Sequence, residues 1–508
     1  MSLLFALSPL VVVMVGGLLL MLAEALGKPA AAGGINSQGT VIDAGVGRMP
    51  ELSLGAAVVL FAGAIMSVAV WMVGPEKLGG LEAVAPYILI DRFTLFFSFV
   101  ICLSGGFASL LAGGYLPEHG LERGEFFQLL IFSAGGAIAL AAAGDLLSLF
   151  VALETMSLGV YCMIGLRRSS PRSAEAALKY FLLGSFAAAL MLFGFALLYG
   201  ATGRTDLAGI ADAIVGVQGS EAAGVLLGLA LTLAGLAFKV SAVPFHMWTP
   251  DAYEGAPTPA TAFMAAAVKA AAFAMMLRVL LGAFGDERLI SWGAGWPPVL
   301  ALLALLSMFV GNIVAGRQES VKRMLAYSSV AHAGYALVGV TAALRSPAEA
   351  QASVMFYMLT YALSTVGAFG ALILCGSKGK EAVSYEDLAG VGRRHPASAL
   401  VFSVFLISLA GIPPTAGFFG KLYVFSVAVD AQLYWLVVLG LLNSVLGAYY
   451  YLKVMVYMYM REPRPGAVLA VPMNSGLVNV ALIVLALLVV ALGLCPSSIL
   501  KLAGAAMP

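Results

Sequence analysis

Runs of about 20 apolar residues recur from one end of this 508-residue chain to the other, each long enough as helix to cross a hydrocarbon layer of roughly 30 Å. Lipid offers the backbone no hydrogen bonds, and an apolar run of this length satisfies its own as helix. Marking the runs between charged or Pro/Gly-rich breaks gives about fourteen spans, near residues 3–27, 53–74, 91–115, 125–143, 146–166, 173–200, 222–245, 257–283, 297–316, 323–341, 350–375, 397–429, 431–460 and 477–500. The expectation is an all-α polytopic membrane protein, a single transmembrane domain over 1–508, because no polar stretch is long enough to fold on its own.

Composition narrows the function. A net charge of +1 gives neither a basic face for nucleic acid nor an acidic tail for a basic partner, so electrostatics must be local. Cys102, Cys162, Cys375 and Cys495 stand singly in apolar runs without CxxC spacing, which points to core packing rather than to metal or disulfide chemistry. There is no P-loop, no GxGxxG after a strand and no HExxH, so no ATP drive, cofactor-binding residues or metal ligands are expected in this chain. The first segment, Ser2 to Leu26, lacks a positively charged leader and is expected to remain as the first helix.

An even number of spans puts both termini on one side. Loops after odd-numbered spans carry fifteen Lys and Arg (among them Lys28, Arg48, Lys378 and Lys380) against six elsewhere, which places both termini outside. The seventh and twelfth spans read as interrupted, at Lys239–Pro244 and at Gly411–Lys421, since proline removes a backbone donor and unwound backbone at bilayer depth survives only beside a protein-lined polar cavity. The interruptions fall five spans apart, which suggests two five-helix repeats of inverted topology, spans 4–8 (residues 125–283) and 9–13 (residues 297–460), after spans 1–3 (residues 1–116) and before span 14. The long first loop, residues 28–52, has no evident role.

Four ionisable residues lie deep in apolar runs: Glu154, Lys239, Lys269 and Lys421. Each costs roughly 2.5–3.5 kcal/mol even on a gentle insertion scale, so each must face a protein interior or a water-filled path. Glu154 either holds helices in register or partners Lys239. A carboxylate beside a buried lysine favours its charged form, and weakening that contact lets burial favour the neutral one, so the pair can act as a switch. Lys269 has only small apolar residues around it in sequence, with room for water and no salt-bridge partner within two turns, which suits a carrier that is neutral for part of a cycle. Lys421 follows the second interruption and suits the outer end of a path. Lys179 reaches Glu154 or Glu175, or lies along the surface; His246 and His332 either relay protons or are satisfied by backbone. Arg278 and Lys453, the latter flanked by Tyr449, Tyr450, Tyr451, Tyr457 and Tyr459, read as interfacial anchors, and His119 and His395 as surface residues.

Three stretches carry a resemblance: FKVSAVPFHMWTPDAYEGAPTP at 238–259, KRMLAYSSVAHAGY at 322–335 and GIPPTAGFFGK at 411–421. Together they closely resemble the antiporter-like membrane subunits of respiratory complex I, over nearly the whole chain. Lysine in place of glutamate at 421 and of histidine at 269, with no long lateral helix after the last span, separates it from two branches of that family. The resemblance implies a multi-pass subunit of the bacterial inner membrane in a proton-translocating NADH:quinone oxidoreductase. In it Glu154 and Lys239 form the modulating pair, Lys269 is the central carrier and Lys421 the outer one. It further implies that NADH, FMN, iron-sulfur clusters and quinone belong to partner subunits, and that the partners are other membrane subunits of the complex, further antiporter-like ones among them, besides lipid and protons. The alternative is a sodium/proton antiporter subunit of the multi-subunit Mrp type, or the membrane subunit of a related hydrogenase complex.

Overall fold

The computed structural model describes residues 2–26, 49–121, 123–293, 295–376, 381, 383–464, 471, 473 and 475–506; the long first loop with Lys28 and Arg48, and Lys378 and Lys380, lie outside the described residues. Among those described, no named strand occurs, only three isolated bridges. The helices are α1 (Ser8–Leu26), α2 (Met49–Val73), α3 (Arg92–Glu118), α4 (Glu125–Ala142), α5 (Leu146–Ile164), α6 (Pro171–Thr202), α7 (Ser220–Val240), α8 (Trp248–Gly255), α9 (Thr258–Gly282), α10 (Pro297–Arg317), α11 (Val321–Thr341), α12 (Pro347–Leu374), α13 (Pro396–Ala410), α14 (Ala416–Asp430), α15 (Tyr434–Met460), α16 (Gly476–Leu494) and α17 (Pro496–Gly504).

Twelve of these are long and apolar enough to cross a membrane among the described residues. Two of the spans expected from sequence fall outside that set: α11 carries Lys322, Arg323 and His332, and the α13–α14 stretch is broken in two. The fourteen spans of the sequence reading therefore rest on assigning α11 and the α13–α14 pair as crossings. Helix starts follow ordinary rules: Asp91 and Asp145 accept from the first free N–H groups of α3 and α5 and so cap them. Packing is close where hydroxyls replace bulk; Ser53 of α2 and Ser109 of α3 each donate to the other's carbonyl, at 2.8 and 2.9 Å.

Burial is graded inward. The most apolar 18-residue window of α12 is 100% buried and that of α9 89%, whereas α1 and α16 keep most of theirs on the outside, so lipid cannot reach α12 or the α9 face packed on it. Around this centre sit α3, α11, α13 and α14, and the side chains of Lys269 and Lys421 are buried there.

Both interruptions are present. After α7 the chain turns at Ser241 (φ 64°), and after α13 at Gly411 (φ 82°), each followed three residues later by a proline in a cis peptide, Pro244 and Pro414. Gly411 has two reasons to be glycine: the left-handed backbone, and the Lys421 side chain, whose Cδ and Nζ would lie 2.9 and 3.2 Å from an added Cβ.

Several expectations from sequence are corrected. Arg278 is no interfacial anchor; its side chain is only 12% exposed and forks onto Asp91 at 2.6 and 2.9 Å, Thr94 Oγ1 at 2.7 Å and the Ala141 carbonyl, with Phe93 against its face. Its four-residue sequence neighbourhood held no acid, and the partner lies 187 positions away. Tyr450 and Tyr451 are fully buried rather than part of a surface belt, because α15 turns that face onto α10 and α11. Cys162 and Cys495 are exposed, not core-packed. His119 is half-buried and stacked on Tyr115 at 4.0 Å.

Candidate functional site

Glu154 sits midway along α5, half-buried, with the exposed Val151 and Leu158 beside it on the outer face of the helix. Its Oε1 is buried without a hydrogen-bond partner. Lys239, in the last turn of α7 just before the break, is 3% exposed and donates to Ser157 Oγ at 2.8 Å. The rings of Tyr161, Tyr180 and Phe238 stand 5.9 Å from its ammonium, a distance at which ring faces still attract a cation. Glu154 and Lys239 are close enough to feel each other's charge but are not in ion-pair contact; Ser157, one turn beyond Glu154 on α5, takes the direct bond.

Lys269 follows a π-helical turn, Met264–Val268, of the kind that widens a helix locally. Its sequence surroundings suggest room for water and no salt-bridge partner, and no ion pair to it occurs among the described residues. It is instead held by Ser329 of α11, donating to the carbonyl at 2.8 Å and to the hydroxyl, with the Tyr361 ring 6.0 Å away. Lys421, 6% exposed, reaches back across the second interruption to the Leu409 and Ala410 carbonyls at 3.1 and 2.9 Å and to Ser444 Oγ of α15 at 2.9 Å, with Tyr335 4.9 Å away. The break frees those two carbonyls from helix bonding, which is how the Pro/Gly stretch of the sequence becomes an ammonium site.

Between these two lysines lies His332, buried on α11 within electrostatic range of both. Its Nδ1 is 2.7 Å from Tyr357 Oη and its Nε2 3.1 Å from Tyr451 Oη, and Tyr451 meets Ser328. His246 lies half-buried in the first interruption with Nδ1 unpartnered. Lys179 does not reach Glu154. It bridges Glu175 at 2.6 Å and Asp251 at 2.9 Å, Asp251 also accepts from Arg323 at 2.8 Å, and Glu175, Asp251 and Arg323 line a recess of about 300 Å³ beside α8.

A second buried charge cluster was invisible in the sequence. Lys322, at the start of α11, is fully buried and donates to the Ala256 carbonyl at 2.7 Å and to Glu381 at 3.0 Å. Glu381 also accepts from Thr258 at 2.7 Å and from Tyr115, which in turn accepts from Arg167 at 3.2 Å. Burial alone raises the Glu381 carboxyl, but the Lys322 charge and the Tyr115 and Thr258 donors outweigh it and hold it down at about 2. In sequence Lys322 is one of the fifteen Lys and Arg of the loops after odd-numbered spans, and Glu381 stands in a short polar segment with nothing to mark it. Similarly missed were the hydroxyls of Ser157, Ser329 and Ser444; the one available signal was the polar and aromatic run on α11.

The site is thus a set of buried lysines and a histidine, each bonded to hydroxyls or carbonyls and framed by two broken helices. The family described as "NADH:quinone oxidoreductase/Mrp antiporter, TM" matches residues 143–447, from before α5 to within α15. The chain belongs to this NADH:quinone oxidoreductase/Mrp antiporter family. Within this antiporter family it is 66% identical over 501 residues to NADH-quinone oxidoreductase subunit N 1 of Sorangium cellulosum (strain So ce56), covering 98% of this chain and 97% of the relative. It is 41% identical to NADH-quinone oxidoreductase subunit N of Myxococcus xanthus (strain DK1622), covering 82% and 85%. A chain of respiratory complex I from Thermus thermophilus with bound aureothin superimposes with a TM-score of 0.77 at 34% identity, covering 98% of this chain and 99% of that one. The Mrp complex from Dietzia sp. DQ12-45-1b gives 0.82 at 22% identity over 99% and 97%, which speaks for the shared fold alone. Membership in this family makes the chain a multi-pass membrane protein.

Proposed function

We propose that this chain is the subunit N-type proton-translocating membrane subunit of a bacterial NADH-quinone oxidoreductase, passing protons along Glu154, Lys239, Lys269, His332 and Lys421. The observation that carries the reading is the chemistry of the lysine partners. Lys239, Lys269 and Lys421 are buried and bonded to hydroxyls and carbonyls, and among the described residues none has a carboxylate in ion-pair contact. A neutral acceptor lets an ammonium lose its proton without stranding a buried anion, which a direct salt bridge does not. Lys322, clamped to Glu381, is the contrasting static case. Glu154, near Lys239 but not bonded to it, is placed to bias that first lysine through space.

The redox chemistry, with NADH, FMN, iron-sulfur clusters and quinone, belongs on this reading to partner subunits, and the chain converts their conformational or electrostatic pulse into proton movement. A half-buried carboxylate beside exposed Val151 and Leu158 at bilayer depth cannot face lipid at tolerable cost, which supports a neighbouring membrane subunit over the outer face of α5. Two inverted five-helix units, residues 125–283 and 297–460, and termini on the outer side complete the proposal; the matching turns at Ser241 and Gly411 support the first and the loop charges the second. The relatives named subunit N favour the oxidoreductase over the Mrp-type antiporter.

The test is charge translocation by the assembled complex in proteoliposomes carrying Lys269→Ala. NADH-driven proton movement and coupled quinone reduction should both fall, with the complex assembled in normal amount. Full pumping in that variant, or activity falling only in step with lost assembly, would refute the carrier role.

A further inference from the structure

Around Lys421 stands a second layer of polar groups tied together by one amide. Asn312 of α10 is 3% exposed, in a helix otherwise apolar at that depth. Its Nδ2 donates to the Met308 carbonyl at 2.8 Å and to Tyr335 Oη at 3.0 Å, and its Oδ1 accepts from Tyr450 Oη at 2.9 Å. The Met308 carbonyl can only accept, which fixes the amide nitrogen on the Met308 and Tyr335 side. Room for this arrangement comes from α15: a Cβ at Gly447 would stand 3.1 Å from Asn312 Oδ1 and 3.5 Å from Tyr450 Oη.

We propose that Asn312 is a positioning residue for proton exchange at Lys421, acting through the hydroxyls of Tyr335 and Ser444. The inference rests on the reading of Lys421 as a proton carrier. A charged Lys421 has three N–H donors, and the Leu409 carbonyl, the Ala410 carbonyl and Ser444 Oγ take all three. A neutral Lys421 has two N–H groups and a lone pair. Carbonyls cannot donate to that lone pair; of the three contacts only the Ser444 hydroxyl can, by turning.

Asn312 sets the direction of the chain behind that turn. Because its Nδ2 donates to Tyr335 Oη, the phenolic hydrogen points elsewhere, and the Tyr335 ring stands 4.9 Å from the same Lys421 ammonium that Ser444 holds. In the proposed chain that hydrogen turns to Ser444, which accepts from Tyr335 in both states, accepting from the ammonium in one and donating to the amine in the other. One hydroxyl rotation thus serves both forms of Lys421, which keeps the two close in free energy. On the other side of the amide, Tyr450 packs 4.5 Å from Tyr451, the tyrosine that meets His332, so the same residue steadies both neighbours of the step from His332 to Lys421.

The titratable groups facing Lys421 are Tyr335 and His332 of α11, Tyr357 of α12 and Tyr450 and Tyr451 of α15; α13 and α16 contribute none. Assembled complex in proteoliposomes should therefore be measured for NADH-driven proton translocation across pH with Asn312→Asp, Asn312→Leu, Tyr335→Phe, the Asn312→Leu/Tyr335→Phe double variant and Lys421→Ala. Asn312→Asp replaces the donor with an acceptor that draws the Tyr335 hydrogen away from Ser444 and adds a negative charge. Its translocation at neutral pH should fall about tenfold and the alkaline limb of its profile move up by about one pH unit. Asn312→Leu and Tyr335→Phe should each lose several-fold without that upward move, and the double variant should lose no more than the worse single one, since both break one chain. Additive losses, wild-type rates in both Asn312 variants, or activity lost only in proportion to assembled complex would overturn the proposal. Normal pumping in Lys421→Ala would instead bring down the carrier reading beneath it.

Discussion

Glu381→Gln is the substitution whose cost can be worked most directly from the structure. The side chain is 20% exposed and takes hydrogen bonds from Lys322, Thr258 and Tyr115, at the meeting point of α3, α9 and α11. Lowering a carboxyl from 4.5 to about 2 corresponds, at about 1.4 kcal/mol per factor of ten in proton affinity, to about 3 kcal/mol. Glutamine keeps the shape but leaves Lys322, fully buried, without its counter-charge, a loss that typically costs about 3–5 kcal/mol. The folded-state pKa is depressed, so the stabilisation is fully present above about 4.5 and is lost as pH falls through that value toward 2. Thermal unfolding of the purified chain in detergent, followed by intrinsic fluorescence, should show a midpoint several degrees lower for the variant at pH 7. Wild type should lose its advantage between pH 4.5 and 2 while the variant stays flat across that window. Equal midpoints at pH 7, or parallel acid curves, would show that the cluster holds no such energy and that the burial argument for it is wrong.

Two further outcomes follow from the same contacts. Arg278→Gln should destabilise the fold by about 3–5 kcal/mol by stranding Asp91, whose carboxyl burial alone would raise but which the guanidinium holds below its ordinary value; the thermal midpoint of the purified chain measures it, and a shift under a degree would contradict it. Ser157→Ala should slow proton translocation by roughly tenfold, because Ser157 makes the one hydrogen bond given to Lys239 among the described residues, whereas Ser329→Ala should cost less, since the Ser329 carbonyl still holds Lys269. Translocation rates of the two variants in one preparation of vesicles decide the order, and a larger loss in Ser329→Ala would reverse the argument.

The class of fold and the burial of the charged residues were legible in the string of residues, for a local reason. Hydropathy over 20 residues, a lysine among alanines, and proline with glycine inside an apolar run each carry their energetic consequence wherever the helix ends up. That is why the interruptions at Ser241 and Gly411 and the burial of Lys239, Lys269 and Lys421 follow the sequence reading. What each ammonium touches depended on how the helices rotate and pack. Lys239 and Ser157 are 82 positions apart, Lys269 and Ser329 60, Lys322 and Glu381 59, and Arg278 and Asp91 187. No periodicity in one segment encodes a partner in another, so in sequence Lys322 counts as a loop cation, Arg278 as an anchor, and Lys269 shows no sign of the Ser329 hydroxyl and carbonyl that hold it. The sequence alone determined that charge is carried into the membrane; tertiary packing decided which charges are bonded to neutral oxygens and which are locked to a carboxylate.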